Sequence, residues 1–274
     1  MTRDRSGAEN RMDGVKTAVV TGASSGIGEA FAKRLAKDGF ALVLVARRKE
    51  RLEAVASELQ RSASASVEVL AADLSKREEI DRVADRIART ETLEMLINNA
   101  GFGAPGNFRE ANLEKNIEMI NVHVLATACL CRAALPGMVR QGRGSIINVS
   151  SLAALMPMPH SAMYCSTKAF VKLFSEALSL ELKSTGVKVQ ALCPGFTVTG
   201  FHETPEHERF NRSAIPKTMW MSPEEVVDAS LKALARNKRV CIPGLKNRIL
   251  AALLSNSFTA PIIRLSSRGR YQDI

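Results

Sequence analysis

Thr17-Ala18-Val19-Val20-Thr21-Gly22-Ala23-Ser24-Ser25-Gly26-Ile27-Gly28 changes character partway along its length, and the change decides the fold. Thr17 to Val20 is a short apolar run with β-branched members, which reads as a buried parallel strand. A glycine-rich turn follows at once, and Glu29 to Lys37 then reads as a helix with Ala30, Phe31 and Leu35 on one side. Strand, glycine turn and helix in that order are what a dinucleotide site requires. Gly22, Gly26 and Gly28 permit a tight turn and close backbone approach to a pyrophosphate, with Ser24, Ser25 and Ile27 between them. The helix start then presents free N–H groups and a positive dipole end to that anion.

Nineteen positions past Gly28, a second apolar run (Ala41 to Val45) ends in Ala46-Arg47-Arg48. An NAD site wants a carboxylate near there for the ribose 2′-hydroxyl, whereas an NADP site wants an arginine. Ala46 supplies no carboxylate, while Arg47 and Arg48 fork onto a phosphate, so the pattern reads as NADP(H). The alternative is a solvated helix start at Arg48-Lys49-Glu50, which suits Arg48 better than Arg47.

A second constellation is Tyr164-Cys165-Ser166-Thr167-Lys168. On a helix, i and i+4 share a face, so phenol and ammonium come within reach of a common partner. A free phenol with a pKa of about 10 is a poor acid or base near neutrality. A neighbouring cation is expected to lower that pKa, and a shift of about three units needs about 4 kcal/mol of differential stabilisation.

Further apolar runs near Ser66–Leu70, Met95–Ile97, Ser145–Val149, Lys188–Leu192 and Arg239–Ile242 alternate with amphipathic stretches. The 274-residue chain therefore reads as one α/β domain: a Rossmann-type, doubly wound parallel sheet of about seven strands with helices on both faces. Residues 15–244 form that domain, with a substrate lid at about 200–222. Residues 1–14 are polar and read as a disordered tail, and 245–274 as a basic amphipathic extension.

These motifs resemble, in order and spacing, those of the short-chain dehydrogenase/reductase family over most of the chain. TGASSGIG matches the family's cofactor loop, Asp73-Leu74 its adenine-contacting acidic position, and Asn98-Asn99-Ala100-Gly101 the motif after the fourth strand. Asn121 falls at the family's relay asparagine. Ser151, thirteen residues before Tyr164, falls at its catalytic serine, and Ser150 is the neighbour that could be mistaken for it. Pro194, Gly195 and Thr199 match the segment that cradles the nicotinamide; Thr197 stands where the family usually has Val or Ile. The resemblance implies hydride transfer between nicotinamide and a carbonyl or alcohol carbon. Tyr164 would be general acid and base, Lys168 would tune it and hold the ribose, and Ser151 would bond the carbonyl oxygen. Asn121 would hold a water that resupplies protons. The resemblance also implies a homodimer or homotetramer.

Composition bounds the rest. Five cysteines at irregular spacing suggest no disulfide framework, and four histidines make no metal spacing, so no metal is expected. Cys165 points away from Tyr164 on a helix and reads as packing. No signal-peptide pattern and no apolar run of about 18 residues is evident, so a soluble cytoplasmic enzyme is the simplest expectation. The net charge of +10 is uneven: from Lys232 onward nine Lys/Arg face only Asp273. Leu245, Ile249, Leu250, Leu253 and Leu254 form an amphipathic pattern there. It would pack on the parent domain or a sister subunit, or make peripheral contact with an anionic membrane. Nucleic-acid binding lacks a reading motif and interleaved aromatics.

The loops at the strand ends are apolar: Phe102, Pro105 and Phe108; Leu152, Leu155, Met156, Met158 and Met163; then Phe201, Phe210, Ile215, Met219, Trp220 and Met221. Flexible thioethers suit varied hydrophobic partners, which points to a lipophilic ketone or aldehyde; equally, they pack a lid against the core. Arg209, Arg212 and Lys217 leave open a 3-oxoacyl thioester. A non-enzymatic NADP-responsive binding protein would be expected to lack the tyrosine, lysine or serine, and all are present.

Overall fold

The computed structural model describes residues 15–202 and 215–255. Strands β1 (Thr17–Thr21), β2 (Ala41–Ala46), β3 (Val67–Ala71), β4 (Leu93–Asn98), β5 (Gly144–Val149), β6 (Val187–Leu192) and β7 (Val240–Cys241) form one sheet in the order β3-β2-β1-β4-β5-β6-β7. Every pairing is parallel. Each expected strand is present, displaced by at most two residues at an end. β2 is apolar throughout, and β1 is so between its two threonines, because both their faces are buried. Ala18, Val20, Leu42 and Leu44 pack on one side with Phe31, Leu35, Leu52 and Leu59, and Val19, Val43 and Val45 on the other with Ile80, Val83 and Leu130.

Helices α1 (Gly26–Lys37), α2 (Lys49–Ala63) and α7 (Pro223–Ala235) supply the first layer. The second comprises α3 (Arg77–Ala88), α5 (Ala126–Arg140) and α6 (Ala162–Glu181), with α4 (Leu113–Ile120) against α6. Strand order reverses between β1 and β4, so their carboxyl ends open a crevice there.

Two features correct the sequence reading. Residues Asn121–Leu125 form a π-helix between α4 and α5, so one continuous helical run spans Leu113–Arg140. Among the described residues this is a 28-residue helix long and apolar enough to cross a membrane by length and composition, where no such stretch was expected. Single polar residues such as Asn121, His123 and Thr127 interrupt the apolar run, while the average over the helix stays high. Met119, Ala126, Leu130, Ala134 and Met138 of the run are buried in the domain. Secondly, the extension beyond β7 begins as helix α8 (Leu245–Ser255), which buries Asn247, Ala251 and Leu254 and contacts the 3₁₀ turn Leu152–Leu155. Leu245, Ile249 and Leu253 are on its exposed side. The expected tail at 1–14, most of the lid, and the extension past Ser255 lie outside the described residues.

Helix α6 is latched to β5. The Lys168 ammonium is buried and donates to the Val149 carbonyl at 3.0 Å, and the Ser150 hydroxyl donates to the Lys168 carbonyl at 2.7 Å. Burial lowers the Lys168 pKa to about 8. The folded chain therefore sheds this proton near pH 8 while the unfolded chain keeps it to about pH 10.4, so Lys168 adds stability as pH rises through that window. Buried thiols of Cys131, Cys165, Cys193 and Cys241, all raised by burial, act oppositely above about pH 9. The difference between wild type and Lys168→Met isolates the lysine. In urea unfolding, that difference should move towards wild type by up to about 1.4 kcal/mol per pH unit above pH 8, and a flat difference would contradict the burial account.

Candidate active site

The turn after β1 is built to face an anion. Gly22 has φ +65°, and a Cβ there would lie 2.7 Å from Asn99 Nδ2 and 2.9 Å from Ala100 Cα. A Cβ on Gly28 would meet the Gly22 carbonyl oxygen at 2.3 Å, so the helix start sits against the turn that precedes it. Ser25 is the N-cap of α1, yet its side chain makes no capping bond. The first-turn N–H groups thus keep their donor capacity for a ligand phosphate, and the geometry fits a dinucleotide pyrophosphate.

Thr21 joins this turn to β4. Its hydroxyl accepts from the Asn99 and Ala100 N–H groups at 2.9 and 3.0 Å and donates to the Ile97 carbonyl at 3.3 Å. The Asn99 amide donates to the Thr21 and Gly22 carbonyls. Asn99, Ala100 and Gly101 therefore wall the crevice opposite α1. Asn98 turns into the core and donates to Asn148, which donates to Ser175.

Both arginines after β2 are exposed, but they are not equivalent. The Arg48 guanidinium donates to the Ser24 and Ser25 hydroxyls at 3.0 and 3.1 Å, which draws it over the glycine turn. Arg48, expected on the cofactor phosphate with a solvated helix start as the alternative, is both exposed at the start of α2 and drawn to two serine hydroxyls of the glycine turn. Arg47 instead places its charge near Asp73. Burial raises the Asp73 pKa, but bonds from the Ser75 N–H and hydroxyl, with Arg47 and Lys76, outweigh it and the net shift is downward. Leu74 is buried in the core.

At the end of β5 the two serines divide. Ser150 ties α6 to the sheet, as above, and its N–H donates to the Leu192 carbonyl. The Ser151 hydroxyl oxygen accepts from the Ala153 N–H at 3.1 Å, and Ser151 also bonds the Tyr164 phenol, an interaction that lowers the phenol's pKa. The Lys168 Nζ is 5.9 Å from the Tyr164 ring centroid. Ser151, Tyr164 and Lys168 are thus brought together. The expected acidification by Lys168 is not found: burial raises the Tyr164 phenol to about 12 against the Ser151 bond. Desolvation, with the neighbouring Cys165 thiol acting in the same direction, outweighs that bond.

Asn121 stands at the start of the π-helix and donates to the Ser75 carbonyl at 2.9 Å. Beyond β6, the Pro194 carbonyl accepts from the Leu152 N–H, and Gly195 packs on the Asn247 amide, where a Cβ would meet Nδ2 and Oδ1 at 2.7 Å. Thr197 is buried and bonds the Gly195 carbonyl; Thr199 packs against Gly26, closing the crevice from the far side.

Around the phenol, Phe201 and His123 approach the Tyr164 ring with centroids at 5.9 Å. The Gly106 N–H bonds the His160 carbonyl, which joins the loop after β4 to the loop before α6. Phe108 is exposed, whereas Leu155 and Met156 border a depression with Cys165, Ser166 and Ala169 on another face of α6. Part of the expected apolar lining therefore serves packing. Phe210, Arg209 and Arg212 fall outside the described residues. Thr21, His123 and Thr167 are site residues that the sequence did not single out. No group of three His, Cys, Asp or Glu placed to hold a metal occurs among the described residues.

Comparison with known proteins agrees with this geometry. The family model for short chain dehydrogenase matches residues 16–209. A very-long-chain 3-oxoacyl-CoA reductase of Anas platyrhynchos is 38% identical over 210 residues, covering 72% of this chain and 67% of that protein. A short-chain dehydrogenase from Sphingobium yanoikuyae in complex with NADPH superposes with a TM-score of 0.79 at 33% identity, covering 95% of this chain and 96% of that one. The bulky-bulky ketone specific alcohol dehydrogenase from Comamonas testosteroni superposes with a TM-score of 0.75 at 31% identity, covering 95% of both chains. With a sheet whose order reverses at a glycine turn, and with Ser151, Tyr164 and Lys168 beside that crevice, this chain belongs to the short-chain dehydrogenase/reductase family of oxidoreductases.

Proposed function

We propose that the protein is an NADPH-dependent reductase of bulky apolar carbonyl compounds, with Tyr164 as the proton donor. The observation that carries this is the Ser151–Tyr164 pair beside a buried Lys168, at the mouth of the uncapped α1 turn. NADPH would lie on the N-terminus of α1, held by Gly22, Ser24, Ser25, Gly26, Ile27 and Gly28. Asp73 and Leu74 would serve its adenine side. Asn99, Ala100 and Gly101 would contact it across the crevice, and Pro194, Gly195, Thr197 and Thr199 would flank its nicotinamide. When bound it supplies a hydride to the substrate carbon.

The chain's own groups do the remaining work. A phenol held near 12 stays protonated at neutral pH, the state from which it would donate to a carbonyl oxygen. The Ser151 oxygen accepts from Ala153 while its hydroxyl bonds the phenol, so a bound substrate oxygen would replace the phenol as acceptor of that proton and have its developing charge stabilised there. Lys168 holds its place through the Val149 carbonyl and presents a cation behind the phenol. Asn121, anchored by Ser75, would align a water for proton resupply.

Preference for NADP over NAD is supported by Arg48 on the two serines, by Arg47 beside it, and by the NADPH complex of the Sphingobium relative. An apolar substrate is supported by Phe201 beside the phenol, by Phe102 beside His123, and by the bulky-bulky ketone specificity of the Comamonas protein. The duck relative favours one second reading, a long-chain 3-oxoacyl thioester, which shares the apolar body and the ketone. Exposed Phe170, Leu173 and Leu180 on α6 support association of copies through that helix. The burial of Asn247, Ala251 and Leu254 supports packing over membrane contact for α8.

A panel of aromatic ketones, long-chain 3-oxoacyl thioesters and short charged ketones, followed by NADPH oxidation, tests the substrate class; turnover confined to the short charged members refutes it. Tyr164→Phe should lower ketone reduction by about 10² to 10⁴-fold while fluorescence-monitored NADPH binding stays near wild type. Arg48→Ala is expected to lower the preference for NADPH over NADH about tenfold, as loss of a charge-assisted bond worth roughly 1.5 kcal/mol would. Unchanged selectivity in kcat/KM would remove Arg48 from the site.

A further inference from the structure

We infer that His123 is a positioning residue for the Tyr164 phenol, clamping the turn that carries Tyr164 to the loop after β4 by way of Thr167 and Phe102. The inference rests on Tyr164 being the proton donor proposed above.

His123 lies inside the π-helix and is buried. The extra residue per turn in such a segment shifts the register of the helix locally, and these insertions occur frequently at functional sites. Here the shift brings one imidazole into contact with three separate parts of the site. Nδ1 is 2.9 Å from Thr167 Oγ1, and Nε2 is 3.2 Å from the Phe102 N–H. Gly101 packs so closely that a Cβ there would lie 2.8 Å from Nε2 and 3.4 Å from Lys168 Nζ. The ring also meets the Tyr164 ring edge-on, with centroids 5.9 Å apart and planes at 73°.

The direction of each bond is fixed by backbone groups. The Thr167 hydroxyl donates its single proton to the Tyr164 carbonyl at 3.0 Å, so its oxygen must accept from His123. Nε2 faces a backbone donor and must accept. Only the neutral tautomer with the proton on Nδ1 satisfies both. Burial, followed by the Lys168 charge, holds the His123 pKa well below its ordinary value, in agreement with that tautomer.

The chain of contacts therefore runs from the Phe102 amide through the imidazole and the Thr167 hydroxyl to the carbonyl of Tyr164 itself. Phe102 follows directly on the Asn99–Gly101 wall of the dinucleotide crevice. The clamp sets the distance between that wall and the phenol. A displacement of about 1 Å at a reacting group costs about 10²-fold in rate, so a fixed separation has kinetic value. His123 supplies this without being a catalytic residue: nothing in the geometry has it touch substrate.

The chain has two tyrosines, Tyr164 and Tyr271, so in a Tyr271→Phe background the ultraviolet phenolate signal belongs to Tyr164 alone. The groups facing that phenol are His123, Lys168, Cys165 and the Ser151 hydroxyl. His123→Leu, Thr167→Val and Thr167→Ser are compared in that background, over the pH range in which circular dichroism stays native. His123→Leu and Thr167→Val should lower kcat by about 10- to 100-fold, with the Kd for NADPH within about twofold. They should also let Tyr164 ionise closer to the free value of about 10, as the released turn admits water. Thr167→Ser, which keeps the hydroxyl, should restore both. The inference is overturned if kcat and the Tyr164 titration match the parent in His123→Leu and Thr167→Val. It is equally overturned if kcat falls only in step with NADPH affinity and Ser does no better than Val at position 167. Should the parent bind NADPH yet reduce no ketone, the oxidoreductase reading fails, and the Tyr164 titration still decides for or against the clamp.

Discussion

An ammonium removed from water and held on one backbone carbonyl is the constraint on which the site is organised. Lys168 is buried among residues of α6 and the ends of β4 and β5, with the Val149 carbonyl as its hydrogen-bond acceptor. Burial of a cation with neutral partners is unfavourable, and the depression of its pKa to about 8 is the direct expression of that cost. What the arrangement secures is position. The lysine reaches the sheet from its own side chain while Ser150 reaches back to its carbonyl, so two bonds of opposite sense fix the first turns of α6 to β5. Tyr164, one turn earlier, is placed by the same pair. The division between the serines follows: one spends its hydroxyl proton in the latch, and its neighbour bonds the phenol.

The phenol shows how little can be inferred about a pKa from spacing alone. Four residues of separation do put ammonium and phenol on one face of α6, yet the phenol is not lowered by the ammonium. Its surroundings decide the shift instead. The ammonium lies at 5.9 Å from the ring centroid and is itself disfavoured by burial, while the phenol pays for its own desolvation in full. The Ser151 bond is the lowering influence, and the result is a phenol near 12.

The seven strands and the glycine turn were legible in the sequence because each is a local pattern: β-branched apolar runs for strands buried on both faces, and glycines where φ is positive or backbones touch. Ser151 was separable from Ser150 only by spacing to Tyr164, and the structure supplies the physical reason for the difference. Less legible were features that depend on distant partners. Arg48 reads as a phosphate ligand or as a helix start, and its place over Ser24 and Ser25 emerges only on folding. The π-helix leaves no mark on apolar periodicity, since a single extra residue only rotates the pattern that follows. His123 looked like an isolated histidine because its three partners, Phe102, Thr167 and Gly101, come from the loop after β4 and from α6. Leu74, taken with Asp73 as one motif, parts from it: the carboxylate faces Ser75 and Arg47 while the leucine fills the core.

The C-terminal helix belongs to this same logic, even though sequence composition sets it apart as a basic extension. Asn247 occupies the space that a side chain at position 195 would need, donates to the Pro243 carbonyl at 2.9 Å, and touches the Met221 sulfur at 3.7 Å. Met221 in turn pairs with Thr197 across a short bridge, and Thr199 closes on Gly26. The segment carrying Pro194, Gly195, Thr197 and Thr199 is thus held between the glycine turn on one side and α8 on the other. A glycine at 195 is required by that packing, since any Cβ would displace the asparagine. Shape at the nicotinamide end of the crevice is therefore set as much by residues after β7 as by the motifs before it.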